Sequence, residues 1–187
     1  MKKISFCLLF VVLISSCSTL KVTQEFDKNT DFSQYKTFSI HAWNDENSTL
    51  ISRFDQERLL SALADQLKKR GYTQVISDGE IEADIFLILD RKLSTTAYTN
   101  YYGSGYWGGY GYGFGYGYGP GYGTTSYQTE VYIEGTLIIN LFDSKKKKLI
   151  WQGTGVGTVD NDPQTREKGI PKALDQIFWK YPVKKKR

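Results

Sequence analysis

Few side chains in this sequence could carry covalent or metal chemistry. The 187 residues include one His and two Cys, whereas a Cys/His zinc site takes three or four such ligands. A Cys–His nucleophile pair likewise needs both types in reach. His41 has no second His and no matching nucleophile motif, so it reads as a surface or edge-strand residue. Asp160-Asn161-Asp162 resembles a fragment of a calcium loop but lacks the Gly and the distant Glu that complete one. A turn or helix cap before Pro163 is the better reading. Gly153-Thr154-Gly155-Val156-Gly157 follows a strand without opening a helix, which a phosphate-cradling loop would do. No GxSxG, phosphate loop or paired-carboxylate motif stands in supporting context. The expectation is no catalytic residue, no cofactor and no metal.

One thiol is different. Lys2 and Lys3 precede an apolar run, Ile4 to Ile14, and Ser15-Ser16-Cys17 follows. A short positive region, about eleven apolar residues and small residues before a cut describe an export leader, too short to span a membrane stably. Ile14-Ser15-Ser16-Cys17 looks like a bacterial lipobox, where the leader is cut before the cysteine and the thiol takes a diacylglyceryl group. The expectation is a cleaved leader over 1–16 and a lipidated Cys17. Cleavage removes Lys2, Lys3 and Cys7, lowers the formal charge from +4 to +2, and leaves no free thiol for a disulfide. Stability must then come from packing. Two or more acyl chains anchor stably where one binds only marginally. Ser18 stands where an Asp would signal inner-membrane retention, so the resemblance implies the outer membrane, with the periplasmic face favoured over the cell surface.

The second unusual feature is compositional. Residues 98–127 hold eleven of the eighteen Gly and ten of the fourteen Tyr, and no charge occurs between Lys92 and Glu130. Gly at every second position raises the entropic cost of ordering, and aliphatic residues to build a core are missing. One reading is a long loop joining neighbouring strands, with Leu93 and Thr129 near each other. The other is an adhesive segment in which Tyr106, Tyr110, Tyr112, Tyr116, Tyr118 and Tyr122 offer flat faces and hydroxyls to an envelope protein, a glycan or another copy. Nucleic acid is rejected as a partner, because the tract has no Lys or Arg to neutralise phosphates. Two basic runs, Lys145–Lys148 and Lys184–Arg187, read as a solvated hairpin turn and a tail. Attraction to anionic lipid headgroups is the alternative.

The elements that must position these features are legible from periodicity. Residues 17–30 form a lipidated start, a tether and the beginning of a first strand, Lys21–Phe26. Thr37–Ala42 is a short strand. Ile51–Arg70 is a helix with Leu59, Leu60, Leu63 and Leu67 on one stripe, Phe54 extending it and Gly71 as the stop. Ala83–Leu89 is a continuous apolar run, expected as a central strand covered on both faces. Tyr132–Phe142 alternates at period two, and Leu149-Ile150-Trp151 begins the return strand of a hairpin. Ile170, Ala173, Leu174, Ile177, Phe178 and Tyr181 form a last helical stripe with Pro171 in its first turn. Trp151 and Trp179 are expected in the core. The class is α+β over 31–182: one mostly antiparallel sheet with two helices on a face, a Gly/Tyr insertion at 98–127 and a basic tail at 183–187.

These residues carry a resemblance. Asp31-Phe32-x-x-Tyr35-Lys36-Thr37-Phe38, Lys69-x-Gly71-Tyr72, Ala83-Asp84, Gly135-Thr136-Leu137-x-Ile139, Asp143 and Leu149-x-Trp151-x-Gly153 are similar to a family of Gram-negative lipoproteins. That family is known only as a domain of unknown function, number four-one-three-six in its series. The similarity covers about residues 18–182 and its motifs are structural. It supports the fold and the lipoprotein reading and brings no catalytic residues. The expected function is a non-catalytic binding or scaffolding module of the cell envelope. The rival is a hydrolase acting on envelope polymers, whose site would show two titratable groups with shifted pKa values converging in one pocket.

Overall fold

Alternating apolar residues build six strands: β1 (Lys21–Phe26), β2 (Thr37–Ile40), β3 (Thr73–Gln74), β4 (Ile81–Tyr101), β5 (Gly123–Asp143) and β6 (Lys148–Thr158). The computed structural model describes residues 20–43, 51–101 and 123–186. The leader, Cys17 and the six tyrosines named above lie outside the described residues. The strands form one mixed sheet in the order β1-β6-β5-β4-β2-β3. β6 runs antiparallel to β1 and β5, while β2 runs parallel to β3 and β4. Two helices, α1 (Arg53–Lys68) and α2 (Pro163–Ile177), complete the α+β fold. The chain divides into two units, the second being Arg91–Tyr132 alone.

Local chemistry sets the helix ends. Ser52 Oγ accepts the Asp55 amide at 3.2 Å and donates to the Asp55 carboxylate at 3.0 Å, closing the first turn of α1. Gly71, at φ +93°, takes the left-handed position that ends this helical segment. Asp162 caps α2 by accepting the amides of Gln164 and Thr165, so the acidic triplet is a helix cap, as its sequence suggests.

Four expectations are corrected here. α2 begins at Pro163, so Pro171 sits mid-helix rather than in the first turn. Its exposed position lets the missing amide cost one hydrogen bond without a buried orphan. β4 is covered on one face only: Ile81, Ala83, Ile85 and Leu87 are buried, while Ile88 is half exposed. The buried four face the two described helices, so among the described residues the other half of the apolar run has no second layer over it. Trp179 is 81% exposed and Phe54 73%. Trp179 is one residue past buried Phe178, about 100° further round the helical path.

Trp151 is fully buried, as expected. Its indole stacks on Phe178 at 4.7 Å, and Tyr181 meets its edge at 5.3 Å. Gly153 makes this possible: a Cβ there would collide with the Trp151 ring and lie 2.7 Å from Ile177. The Trp-x-Gly spacing of β6 is therefore a packing device, in which the ring lies flat over the next same-face position.

Candidate functional site

The described part of the second unit is a two-stranded ribbon. Thr95 and Thr129 hydroxyls meet at 3.3 Å, and Thr99 and Thr125 at 3.2 Å. Four residues forward on one strand match four back on the other, so the ribbon is antiparallel. Leu93 and Thr129 thus stand on neighbouring strands within two residues of facing each other. The strands continue to Tyr101 and from Gly123, so both ends of the 98–127 segment are strand rather than loop.

The ribbon's surface is unusual. The β6 ladder ends at Glu134 on β5, and the β2 ladder ends at Ala83 on β4. Among the described residues, no further strand pairs with the outer edges from Leu93 to Tyr101 or from Gly123 to Val131. Leu93 is 72% exposed, and Tyr98, Tyr127 and Val131 are exposed as well. An isolated two-stranded ribbon is marginally stable in water, and an uncharged edge is a template for another chain. Proteins usually block such edges with Lys or Pro, and the sequence from Leu93 to Thr129 holds no charge.

The first unit holds a separate feature, a cavity of about 510 Å³ between the sheet and the N-terminal halves of both helices. Leu59, Leu87, Leu89, Leu137, Ile170 and Ala173 are among its apolar walls, and Ser52, Asp55, Thr165 and Arg166 stand among its polar residues. Asp55 is buried yet accepts from Arg58 at 2.8 Å and Arg166 at 2.9 Å. Burial pushes its pKa up, but Arg58, Ser52 and Arg166 outweigh that and hold the carboxyl below its ordinary range. Arg166 also donates to the carbonyls of Asp160 and Asn161, joining α2 to its own cap.

The other shifted groups also belong to the frame. Burial and the Asp143 carboxylate at 2.8 Å push Tyr35 up to about 12. Asp143 is itself pushed up by burial, but the Lys146 amide, the Tyr35 hydroxyl and the Lys145 amide bring it below its usual value. Tyr72 and Tyr181 share a buried hydroxyl contact at 3.2 Å, and burial raises both. These links explain the Tyr35 and Asp143 motif positions: they tie the turn before β2 to the β5–β6 turn.

Asp55 and Asp143 are among the carboxylates held below their ordinary value, and these set a pH dependence. A carboxyl with a lower folded than unfolded pKa adds stability above its unfolded value, near 4, and loses it as pH falls toward the folded value. Denaturant melts should therefore show stability falling below about pH 4. Asp143→Asn should flatten that fall while lowering stability at pH 7.

His41, just past β2, is exposed, 3.1 Å from Asp84 and 3.8 Å from Glu82. Among the described residues, no group of three or more His, Cys, Asp or Glu is arranged to hold a metal ion. The Lys145–Lys148 turn is tied down rather than free. Lys146 pairs with Asp143, Lys147 with Glu82 and Lys148 with Asp27. The Lys148 ammonium, with the Asn29 amide and Thr30 hydroxyl, holds Asp27 at about 2. This turn lies at one end of β6, and Leu20 packs over Gly157 at the other. Eleven residues of strand separate the two ends, about 33 Å at ~3.3 Å per residue.

Known proteins place this architecture. The family described as a domain of unknown function, DUF4136, matches residues 22–183. The chain belongs to that family. No curated protein matches it. Among solved structures, a PDZ domain protein from Parabacteroides distasonis is similar at 13% identity and a TM-score of 0.53. The similarity covers 89% of the DUF4136 chain but 37% of that protein, so the chain spans little more than a third of its length. The PelC dodecamer from Paraburkholderia phytofirmans is similar at 10% identity and a TM-score of 0.46, over 85% of this chain and 95% of that one. Sequence reasoning found the ribbon's flanks by their missing charge. It missed the cavity, whose walls come from four separate stretches of sequence with no common motif.

Proposed function

We propose that this DUF4136 chain is an outer-membrane lipoprotein, anchored through Cys17 and facing the periplasm. Its role is a non-catalytic binding or scaffolding module of the envelope. The leader pattern and the lipobox-like Ile14-Ser15-Ser16-Cys17 support the anchor. The observation that carries the binding role is the ribbon: strands exposed along their described length, with no charge from Leu93 to Thr129 and outer edges that no strand among the described residues pairs with. The partner is an envelope protein or glycan, met by this ribbon and the tyrosines it leads to. The non-catalytic reading is supported by the fate of the shifted groups. Tyr35, Asp55, Asp143 and Tyr181 are each held by structural neighbours, and Asp55, at the wall of the apolar cavity, is paired with Arg58 and Arg166.

Deleting 98–127 and closing the gap with a short turn tests the binding role. Loop-closure entropy grows slowly with length, so stability should change by only about 1–2 kcal/mol. Helix content and a cooperative melt should survive, while crosslinking in cells should lose the partners seen with the full chain. Unchanged crosslinks would remove the ribbon from function.

A further inference from the structure

We propose that the apolar cavity of the first unit seats one of the acyl chains carried by Cys17. This rests on the lipoprotein reading above. The cavity volume of about 510 Å³ falls in the range of small-ligand sites, which are largely apolar with few polar groups. Leu59, Leu87, Leu89, Leu137 and Ile170 give it that character, and on its polar side Asp55 is paired with Arg58 and Arg166 while the exposed Asp160 stands at the rim and accepts the Asp162 amide. An uncharged hydrocarbon chain fits such walls, whereas a charged ligand would have to displace an ion pair already made.

Position supplies the occupant. Leu20 lies on the helix-bearing face of β6, with its side chain 3.4 Å from where a Gly155 Cβ would stand and 3.0 Å from that of Gly157. The next residues along, Thr158 and Val159, are cavity wall. Cys17 is three residues before Leu20, so its Cα is at most about 11 Å of extended chain away. An acyl chain reaches about 15 Å, half of a ~30 Å hydrocarbon core. A ligand on so short a tether has an effective concentration in the millimolar range, far above any free lipid in the periplasm. Seating one chain leaves the others of the anchor for the bilayer.

The test uses the full chain in cells fed a fatty acid bearing a photoactivatable diazirine. After irradiation and digestion, crosslinked peptides are read by mass spectrometry. The expected result is the Cys17 lipopeptide joined to peptides of the same chain containing Leu137, Val159 or Ala173. Ala173→Phe, which fills the cavity, should cut those crosslinks at least about fivefold. A labelled Cys17 whose lipid joins only other lipids would overturn the proposal and leave the anchor intact. Cavity peptides labelled equally in Cys17→Ser would also overturn it, by showing an exchangeable membrane lipid instead. A Cys17 that carries no label at all would overturn the lipoprotein reading together with the seat.

Discussion

Trp151→Ala should lower folding stability by about 3–5 kcal/mol, the range for deleting a buried aromatic. The indole is fully buried and contacts both Phe178, just past α2, and Tyr181 beyond it. Alanine therefore empties the joint between β6 and the C-terminal segment, and neighbours already packed on three sides cannot close over the gap. A loss of that size is a large share of a small domain's total stability. Trp179→Ala is the matched control. The same residue type at 81% exposure should change stability by less than about 0.5 kcal/mol. Chemical denaturation of both variants decides the matter, and equal losses would refute the packing described for β6.

Arg70→Ala should cost about 3 kcal/mol or more. Arg70 is 4% exposed and stands just past Lys69, the C-cap of α1. Its guanidinium donates to the Gln66 carbonyl at 2.7 Å, the Gln66 side chain at 2.9 Å and the Phe178 carbonyl at 2.8 Å. It also lies 5.0 Å over the Phe178 ring and 5.4 Å over Tyr181. The C-terminal ends of α1 and α2 meet here, and each presents partial negative charge. One buried cation answers both. Burial lowers the Arg70 pKa, with Tyr181, Asp175 and Tyr72 opposing, but a guanidinium stays charged at neutral pH. Arg70→Lys keeps the charge without the planar fork, so it should fall between alanine and the parent. A lysine variant as unstable as alanine would show that geometry alone, not charge, matters at this joint.

The sequence made the helices readable because each has a long apolar stripe: Leu59, Leu63 and Leu67 in α1, and Leu174, Ile177 and Phe178 at the end of α2. All six are buried. It misled at β4, where an unbroken apolar run suggested two covered faces. Periodicity reports what could be buried, and only the number of layers decides what is. Pro171 misled because a proline reads as a helix start, while the turn-or-cap reading of Asp160-Asn161-Asp162 left the true start at Pro163 open. Trp179 shows the limit of stripe reading at a helix end, where one residue's rotation separates core from solvent. The polar frame was hardly legible. Tyr35 and Asp143 are 108 positions apart, as are Arg70 and Phe178, and no local pattern announces such a pair. The ribbon was half legible: the missing charge marked it, but its strands hide behind Thr and Ser where an alternating apolar pattern was sought.

The anchor on Cys17 is the claim on which the proposed location and role depend. The most direct measurement is the intact mass of the chain purified from membranes, with fragmentation of its first residues. The account predicts a chain beginning at Cys17 whose excess mass is a diacylglyceryl group and further acyl, all of it on that residue. A chain that keeps residues 1–16, or one that begins near there with a free thiol at Cys17, would contradict it.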